Sequence, residues 1–283
     1  MTDDAWFGVT PEPVALRIAT DLPRSTASPS CRPSTGKKRK RAGGLDDGAA
    51  ADPETPATRG PRTLIDLFGG AGGNTIAFAN SGHFDHVIAV ERDAATLACA
   101  QHNASVYRVP PGVVTWVLGD CFEFLAALKQ AHGLGPARDD AARHRAAGDS
   151  PHTVQRAPGD DGASGPYRLQ SLLRSVHPAS TTLFASPPWG GVGYSSHDVF
   201  DLGTMQPYNL AALSRACQPF GHALYLPRTS DLRQVAELVG SDPVDKVEVV
   251  QYCMEGASKA LVAYVPPKWD AKTEGRRRDV CPG

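Results

Sequence analysis

The sequence predicts an α/β fold: a central, mostly parallel sheet, covered by helices on both faces, that closes with an antiparallel hairpin. Three observations carry the prediction. From Arg62 onward, short apolar runs alternate with helical stretches, the pattern of strands joined by crossover helices. The first such run ends in Asp66 and enters a glycine-rich turn, Gly69 to Gly73. The last two runs, Lys246–Tyr252 and Ala260–Val265, follow one another with no helix between them, so they pair as a hairpin.

Taken in order, residues 5–20 form a short ordered piece in which Thr10 is the expected helix N-cap and Pro11 sits in the first turn. Val14, Ile18 and Leu22 then share one face. Residues 23–60 are rich in Pro, Ser, Thr, Gly and charge, with almost no large apolar side chains, and read as a disordered basic linker. Ordered sequence resumes with a strand over Thr63–Phe68 and a helix from about Thr75 to Asn80. A strand His86–Glu91, a helix Ala94–Ser105, a strand Val113–Leu118 and a helix Phe122–Ala131 come next. Residues 133–176 lose all periodicity, and so long a structureless stretch fits a disordered insertion at one edge of a compact core. A strand at Thr182–Ala185 follows, then a helix Asn209–Ala216, a strand His222–Leu226, a helix Ser230–Val239 and the closing hairpin. The expected organisation is an N-terminal segment over 1–22, a core made of 61–132 and 177–270, and a frayed tail over 271–283 that carries Arg276, Arg277 and Arg278.

Composition excludes several classes. No apolar run approaches the ~18 residues of a membrane span, and Asp3 and Asp4 ahead of Trp6 do not make a secretory leader. Six cysteines without one Cys-x-x-Cys pair give neither a zinc site nor a disulfide framework, and read as reduced thiols of an intracellular protein. Net charge is −1, so no global field attracts nucleic acid. The basic charge is local. Lys37-Lys38-Arg39-Lys40-Arg41 reads either as a nuclear-import or RNA-attracting arm, or as a solvated run in a linker.

A strand, a Gly-rich turn and a helix make a Rossmann-like cofactor unit. Its glycines let the backbone pass close to a ligand and adopt positive φ, with Gly70 and Gly72 the candidates and Asn74 beside them. The third glycine of the dinucleotide fingerprint is missing from its offset, which argues against NAD or FAD. S-adenosylmethionine fits better, because it has no phosphate and its cationic groups tolerate carboxylates such as Asp66. Glu91, ending the second strand, can accept from two ribose hydroxyls. Asp120, after the third strand, can accept from an adenine amine. Phe122 either packs on that ring or belongs to the next helix's core.

The run Ser186-Pro187-Pro188-Trp189-Gly190-Gly191 ends the apolar stretch Thr181–Ala185. Prolines stiffen a turn whose oxygens at Ser186 and Pro187 face one way, as acceptors for an N–H₂ group. The indole of Trp189 offers a face on which a base stacks. Such a turn suits a methyltransferase acting on a nucleobase amine; the plain alternative is a Pro-rich turn with a half-buried Trp.

Taken together these residues resemble the trimethylguanosine synthase family. The segments that carry the resemblance are Trp6-Phe7-Gly8-Val9-Thr10-Pro11-Glu12, Asp66 to Thr75, Asn103 to Tyr107, Ser186 to Gly191 and Leu226-Pro227-Arg228. It covers residues 6–20, 62–132 and about 180–266. It implies a class I methyltransferase that uses S-adenosylmethionine to methylate the exocyclic N2 of the 7-methylguanosine cap on small nuclear and nucleolar RNAs. It also implies stacking of the base on Trp189, with Tyr194 lining the pocket and Thr10 closing over the cofactor. Arg228 and Asn103 would hold cap phosphates; their plain alternatives are a surface salt bridge and a helix C-cap. A nuclear, monomeric enzyme is expected, met by an import receptor at Lys37–Arg41. The family's basic, aromatic segment upstream of Trp6 has no counterpart in the residues before it, so either the chain is truncated or activity is weakened. Two rivals stay open, a base amino-methyltransferase on uncapped DNA or RNA and a catalytically weak cap-binding protein.

Overall fold

The computed structural model describes residues 9–25, 62–134, 153–155, 166–189, 198–239 and 246–269. Trp6, Lys37–Arg41, Gly190, Gly191, Tyr194 and Arg276–Arg278 lie outside them.

The strands are β1 (Thr63–Asp66), β2 (His86–Glu91), β3 (Val114–Leu118), β4 (Thr153–Gln155), β5 (Thr181–Ala185), β6 (Gly221–Leu226), β7 (Glu248–Met254) and β8 (Ala257–Val265). They form one sheet in the order β4-β3-β2-β1-β5-β6-β8-β7. The run β3-β2-β1-β5-β6 is parallel; β4 pairs antiparallel on one edge and β8-β7 on the other. This is the expected Rossmann-like sheet with a closing hairpin. The hairpin turns on Glu255 and Gly256, at φ 50° and 78°. Two successive positive φ values match the right-handed twist of the flanking strands. Both strands therefore run closer to the turn than their apolar pattern alone predicted.

The helices are α1 (Glu12–Ser25), α2 (Gly73–Asn80), α3 (Ala94–Val106), α4 (Cys121–His132), α5 (Pro166–Ser175), α6 (Leu210–Cys217) and α7 (Leu232–Ala236). Period-two alternation along the central strands sorts them onto two faces. Ile65, Ile88 and Val90 pack with Phe124 and Leu128 of α4, Leu169 and Leu173 of α5, and Leu213 of α6. Leu64 and Val87 point the other way, to Val14, Ile18 and Leu22 of α1 and Phe78 of α2. Ala89 and Trp116 meet Leu97 and Ala100 of α3.

Two expectations are corrected here. The stretch 133–176 is not wholly structureless: β4 and α5 lie within it, and Leu169, Leu173 and Val176 are buried in the core. Their spacing is helical, but it is short and flanked by polar, Gly-rich sequence that masks the period. The second concerns the start of α1. The Pro11 carbonyl accepts from Ala15 N at 3.0 Å, so Pro11 takes the cap position, and α1 runs on to Ser25. Thr10 is freed for another partner. The face Val14, Ile18, Leu22 is buried as its spacing predicts. A buried hydroxyl chain ties this helix to the hairpin: Tyr252 Oη donates to Asp21 Oδ2 at 3.0 Å and meets Tyr264 Oη at 2.5 Å.

Candidate active site

The chain order reverses between β1 and β5, and their carboxyl ends open on the same edge. Ligands of open α/β sheets bind at such a switch point. The Gly-rich turn leaves β1 and the Ser186–Trp189 turn leaves β5, and Leu67 N donates to Phe184 O at 2.9 Å across that junction. Topology alone thus puts the two sequence motifs side by side.

The Gly-rich turn is held from several sides. Gly70 and Gly72 have φ of 51° and 90°, where a side chain is strained. At Gly72 a Cβ would also lie 3.1 Å from that of Ala100, so α3 closes on this residue. Asp66 is fully buried. Its Oδ2 accepts from Thr75 Oγ1 at 2.7 Å and its Oδ1 from Phe68 N at 3.3 Å. Burial raises its pKa to about 6, against the pull of those two hydrogen bonds and with a smaller push from Glu91. Asp66 thus offers no surface to a ligand and acts by shaping the turn. Asn103 does likewise: its Nδ2 donates to Ala71 O at 2.9 Å, while Tyr107 takes the C-cap position. The helix C-cap considered for Asn103 is therefore corrected: Tyr107 holds that position.

Glu91 is half-buried and aimed by two backbone amides. Oε2 accepts from Gly70 N and Oε1 from Asp93 N, each at 2.9 Å. A carboxylate has about four acceptor sites, so both oxygens keep capacity for hydroxyl donors. Thr10, 4% exposed, accepts from Asn74 Nδ2 at 3.0 Å and so fastens the N-terminal segment to the turn. Asn74 Oδ1 is buried without a partner among the described residues. An orphaned acceptor of this kind calls for a donor, and an ammonium group supplies one.

At the end of β3, Asp120 caps α4. Its Oδ1 accepts from Phe122 N at 2.8 Å and Glu123 N at 3.2 Å. Its Oδ2 accepts from Tyr208 Oη. The Tyr208 ring stacks on Phe122 at 4.2 Å and 23°, and Phe68 lies 6.2 Å beyond it. Sequence reasoning missed Tyr208. It falls in the irregular stretch before α6, where no period marks a contact.

In the second turn Pro187 is buried, Ser186 and Trp189 are half-buried and Pro188 is exposed. The indole N–H of Trp189 donates to Tyr225 O at 3.3 Å, and the indole stacks on Tyr225 at 5.4 Å and 18°. The turn is thereby anchored to β6. Arg228, just past β6, is exposed and has no carboxylate partner among the described residues, so the salt bridge considered for it is not formed there.

Comparison with known proteins gives the family. The trimethylguanosine synthase of Schizosaccharomyces pombe is 28% identical over 206 residues, covering 72% of this chain and 65% of that protein. That of Saccharomyces cerevisiae is 23% identical over 292 residues, covering 99% of this chain and 66% of that protein. The chain therefore spans a little under two thirds of the length of these relatives. Among solved structures, an S-adenosylmethionine-dependent methyltransferase from Agrobacterium tumefaciens aligns with a TM-score of 0.44 at 15% identity, over 92% of this chain and 64% of that one. An RNA methyltransferase from Salinibacter ruber, in complex with S-adenosylhomocysteine, aligns at 0.36 and 13%, over 93% and 96%. Structural scores this low add nothing to the argument. The sequence profile does, because its match over residues 61–268 takes in both turns, the acidic strand ends and the closing hairpin. The chain belongs to the RNA cap guanine-N2 methyltransferase family.

Proposed function

We propose that this protein transfers a methyl group from S-adenosylmethionine to the exocyclic N2 of a 7-methylguanosine cap on small nuclear or nucleolar RNA, as far as the 2,2,7-trimethylguanosine cap. One observation carries the reading: the Ser186–Trp189 turn stands beside a braced Gly-rich turn at the switch point of the sheet, within a chain of the cap guanine-N2 methyltransferase family.

The chain's residues fit the cofactor at three points. Glu91 is aimed by Gly70 and Asp93 amides to accept from the ribose hydroxyls. Asn74 Oδ1, buried without a partner among the described residues, accepts from the ammonium group. Asp120 and Phe122 receive the adenine. When bound, S-adenosylmethionine supplies an electrophilic methyl on a good leaving group, so the protein's task is mainly proximity and orientation. Trp189 gives the base its platform. An electron-rich indole prefers the cationic 7-methylguanine to neutral guanine. Ser186 Oγ and the Pro187 carbonyl accept from the base amine and aim its lone pair at the methyl. The proton of the amine leaves to water. Arg228, exposed at the rim, takes the cap phosphates by charge-assisted bonds. The enzyme acts as a monomer in the nucleus and nucleolus, with Lys37–Arg41 read by an import receptor.

The test is methyl transfer from labelled S-adenosylmethionine to a 7-methylguanosine cap dinucleotide, with unmethylated cap and uncapped oligonucleotide alongside. Transfer to the 7-methylated cap alone is expected. Transfer to uncapped oligonucleotide would move the reading to a base amino-methyltransferase. Cap binding without turnover would make it a binding protein.

A further inference from the structure

Tyr208 touches both groups that the proposed function assigns to adenine. Its hydroxyl donates to Asp120 Oδ2. The other carboxylate oxygen is committed to two amides at the start of α4, so Oδ2 is the oxygen through which Asp120 would receive an adenine amine. Its ring lies on Phe122 at 4.2 Å, within the range of one aromatic ring stacked on another. Phe122 is half-buried and packs against the main core, so Tyr208 covers it from outside. A phenol with a hydroxyl on a carboxylate and a face on a benzyl ring makes the same pair of contacts as a purine with an exocyclic amine. No second ring fits between two rings at that separation.

The surroundings of Tyr208 allow it to leave. Met205 and Leu210 anchor the segment, 1% and 3% exposed, while Gln206, Pro207 and Asn209 between them are exposed. A side-chain rotation, or a shift of this short exposed stretch, frees Asp120 and Phe122 with both anchors in place.

We infer that Tyr208 is the gatekeeper of the adenine subsite: its phenol competes with the cofactor's adenine for Asp120 Oδ2 and the face of Phe122, and swings aside when adenine enters. The inference rests on the adenine assignment made above. It gives Tyr208 control over apparent cofactor affinity, because a site open only part of the time binds in proportion to its open fraction.

Titration of the full chain with S-adenosylhomocysteine, by calorimetry and by stopped-flow, tests it. Removing the competitor in Tyr208→Ala is expected to tighten binding about fivefold, which corresponds to a phenol in place in ~80% of molecules, with the gain in the association rate. Tyr208→Phe keeps the ring and loses the hydroxyl, and is expected to tighten binding about twofold. Unchanged or weaker binding in these variants overturns the inference and makes Tyr208 a wall of the pocket. If Tyr208→Ala does not fold, Tyr208→Phe decides by the same criterion. Asp120→Asn and Phe122→Ala separate this from the assignment beneath it. Asn retains the helix cap, and loss of the accepting oxygen is expected to weaken binding about tenfold. If both variants bind as tightly as wild type, the adenine assignment falls and the gatekeeper with it. If they weaken while Tyr208→Ala also weakens, the gatekeeper alone falls.

Discussion

The two turns at the switch point are held in opposite ways. Around the Gly-rich turn, polar side chains are spent on the protein itself: Asp66 on Thr75 and Phe68, Asn103 on Ala71, Thr10 on Asn74. The Ser186–Trp189 turn is held by its prolines and by an indole that packs on the core and on Tyr225. A cofactor common to every reaction cycle can be met by a rigid cradle whose shape is built from buried polar bonds. A capped RNA end needs a platform with its recognising groups left facing outward. Changes in the first turn should therefore register in stability and cofactor affinity, and changes in the second in turnover on the cap.

The largest effect expected is on the pH dependence of stability. Asp66 has its pKa raised by burial to about 6 from 3.8. Between those values the folded protein holds a proton that the unfolded chain has released. This group therefore makes stability fall as pH rises from about 4 to about 6, by about 3 kcal/mol. His222, two strands away on β6 and level with Ile65, does the reverse. It is fully buried between Ser214 Oγ and the Phe220 carbonyl, each at 2.9 Å, and burial lowers its pKa from 6.5 to about 4. There the unfolded chain holds the proton, so stability rises from about pH 4 to 6.5 by about the same 3 kcal/mol. The two offset each other in the wild type. Asp66→Asn leaves an acceptor for Thr75 and uncovers the His222 slope. Urea unfolding from pH 4 to 7 should show the stability of the variant rising with pH relative to wild type by about 3 kcal/mol. Parallel curves would remove Asp66 from the account.

On the other turn, Trp189→Ala should cut kcat/KM for 7-methylguanosine cap about a hundredfold, equivalent to about 2.7 kcal/mol, a loss within the range of base stacking. S-adenosylhomocysteine affinity should stay within about twofold of wild type. If both are lost together, Trp189 serves the fold rather than the cap, and the contrast between the turns disappears. Arg228→Gln should raise KM for cap about tenfold and flatten its salt dependence. Its melting temperature should not move, because the side chain is exposed and has no carboxylate partner among the described residues. A KM independent of this substitution would place the phosphates elsewhere.

Much of the fold was legible because its strands are apolar runs separated by clear turn residues, and β2 falls on the residues its pattern marks, His86–Glu91. Helix α5 was not, since a short amphipathic stretch inside polar, Gly-rich sequence carries too few periods to stand out. In the site, residue types revealed location better than role. A strand-end Asp before glycines marks the cofactor turn, but only the fold shows that Asp66 faces Thr75 and has no exposed surface. Asn103 was legible as a polar residue at the end of α3, while its bond to Ala71 depends on how α3 packs on the turn. Tyr208 had no local signal at all, because its partners Asp120 and Phe122 are 88 and 86 residues away along the chain, and only tertiary folding brings them together.

The smallest effect expected is the most specific to the rigid cradle. Thr10 reaches the Gly-rich turn from outside the sheet, and Asn74 is its partner there. Thr10→Val replaces the hydroxyl with a methyl group of similar size, so the Asn74 amide loses its acceptor. In a double-mutant cycle with Asn74→Ala, stability should show a coupling of about 1 kcal/mol. S-adenosylhomocysteine affinity should fall severalfold in Thr10→Val, because Asn74 Oδ1 is aimed by the same amide that Thr10 fixes. Kinetics on the cap at saturating cofactor should be unaffected. Coupling in stability without a change in affinity would mean that Thr10 only fastens α1 to the sheet. Coupling in both would make the N-terminal segment part of the cofactor site, joined to it through one hydrogen bond.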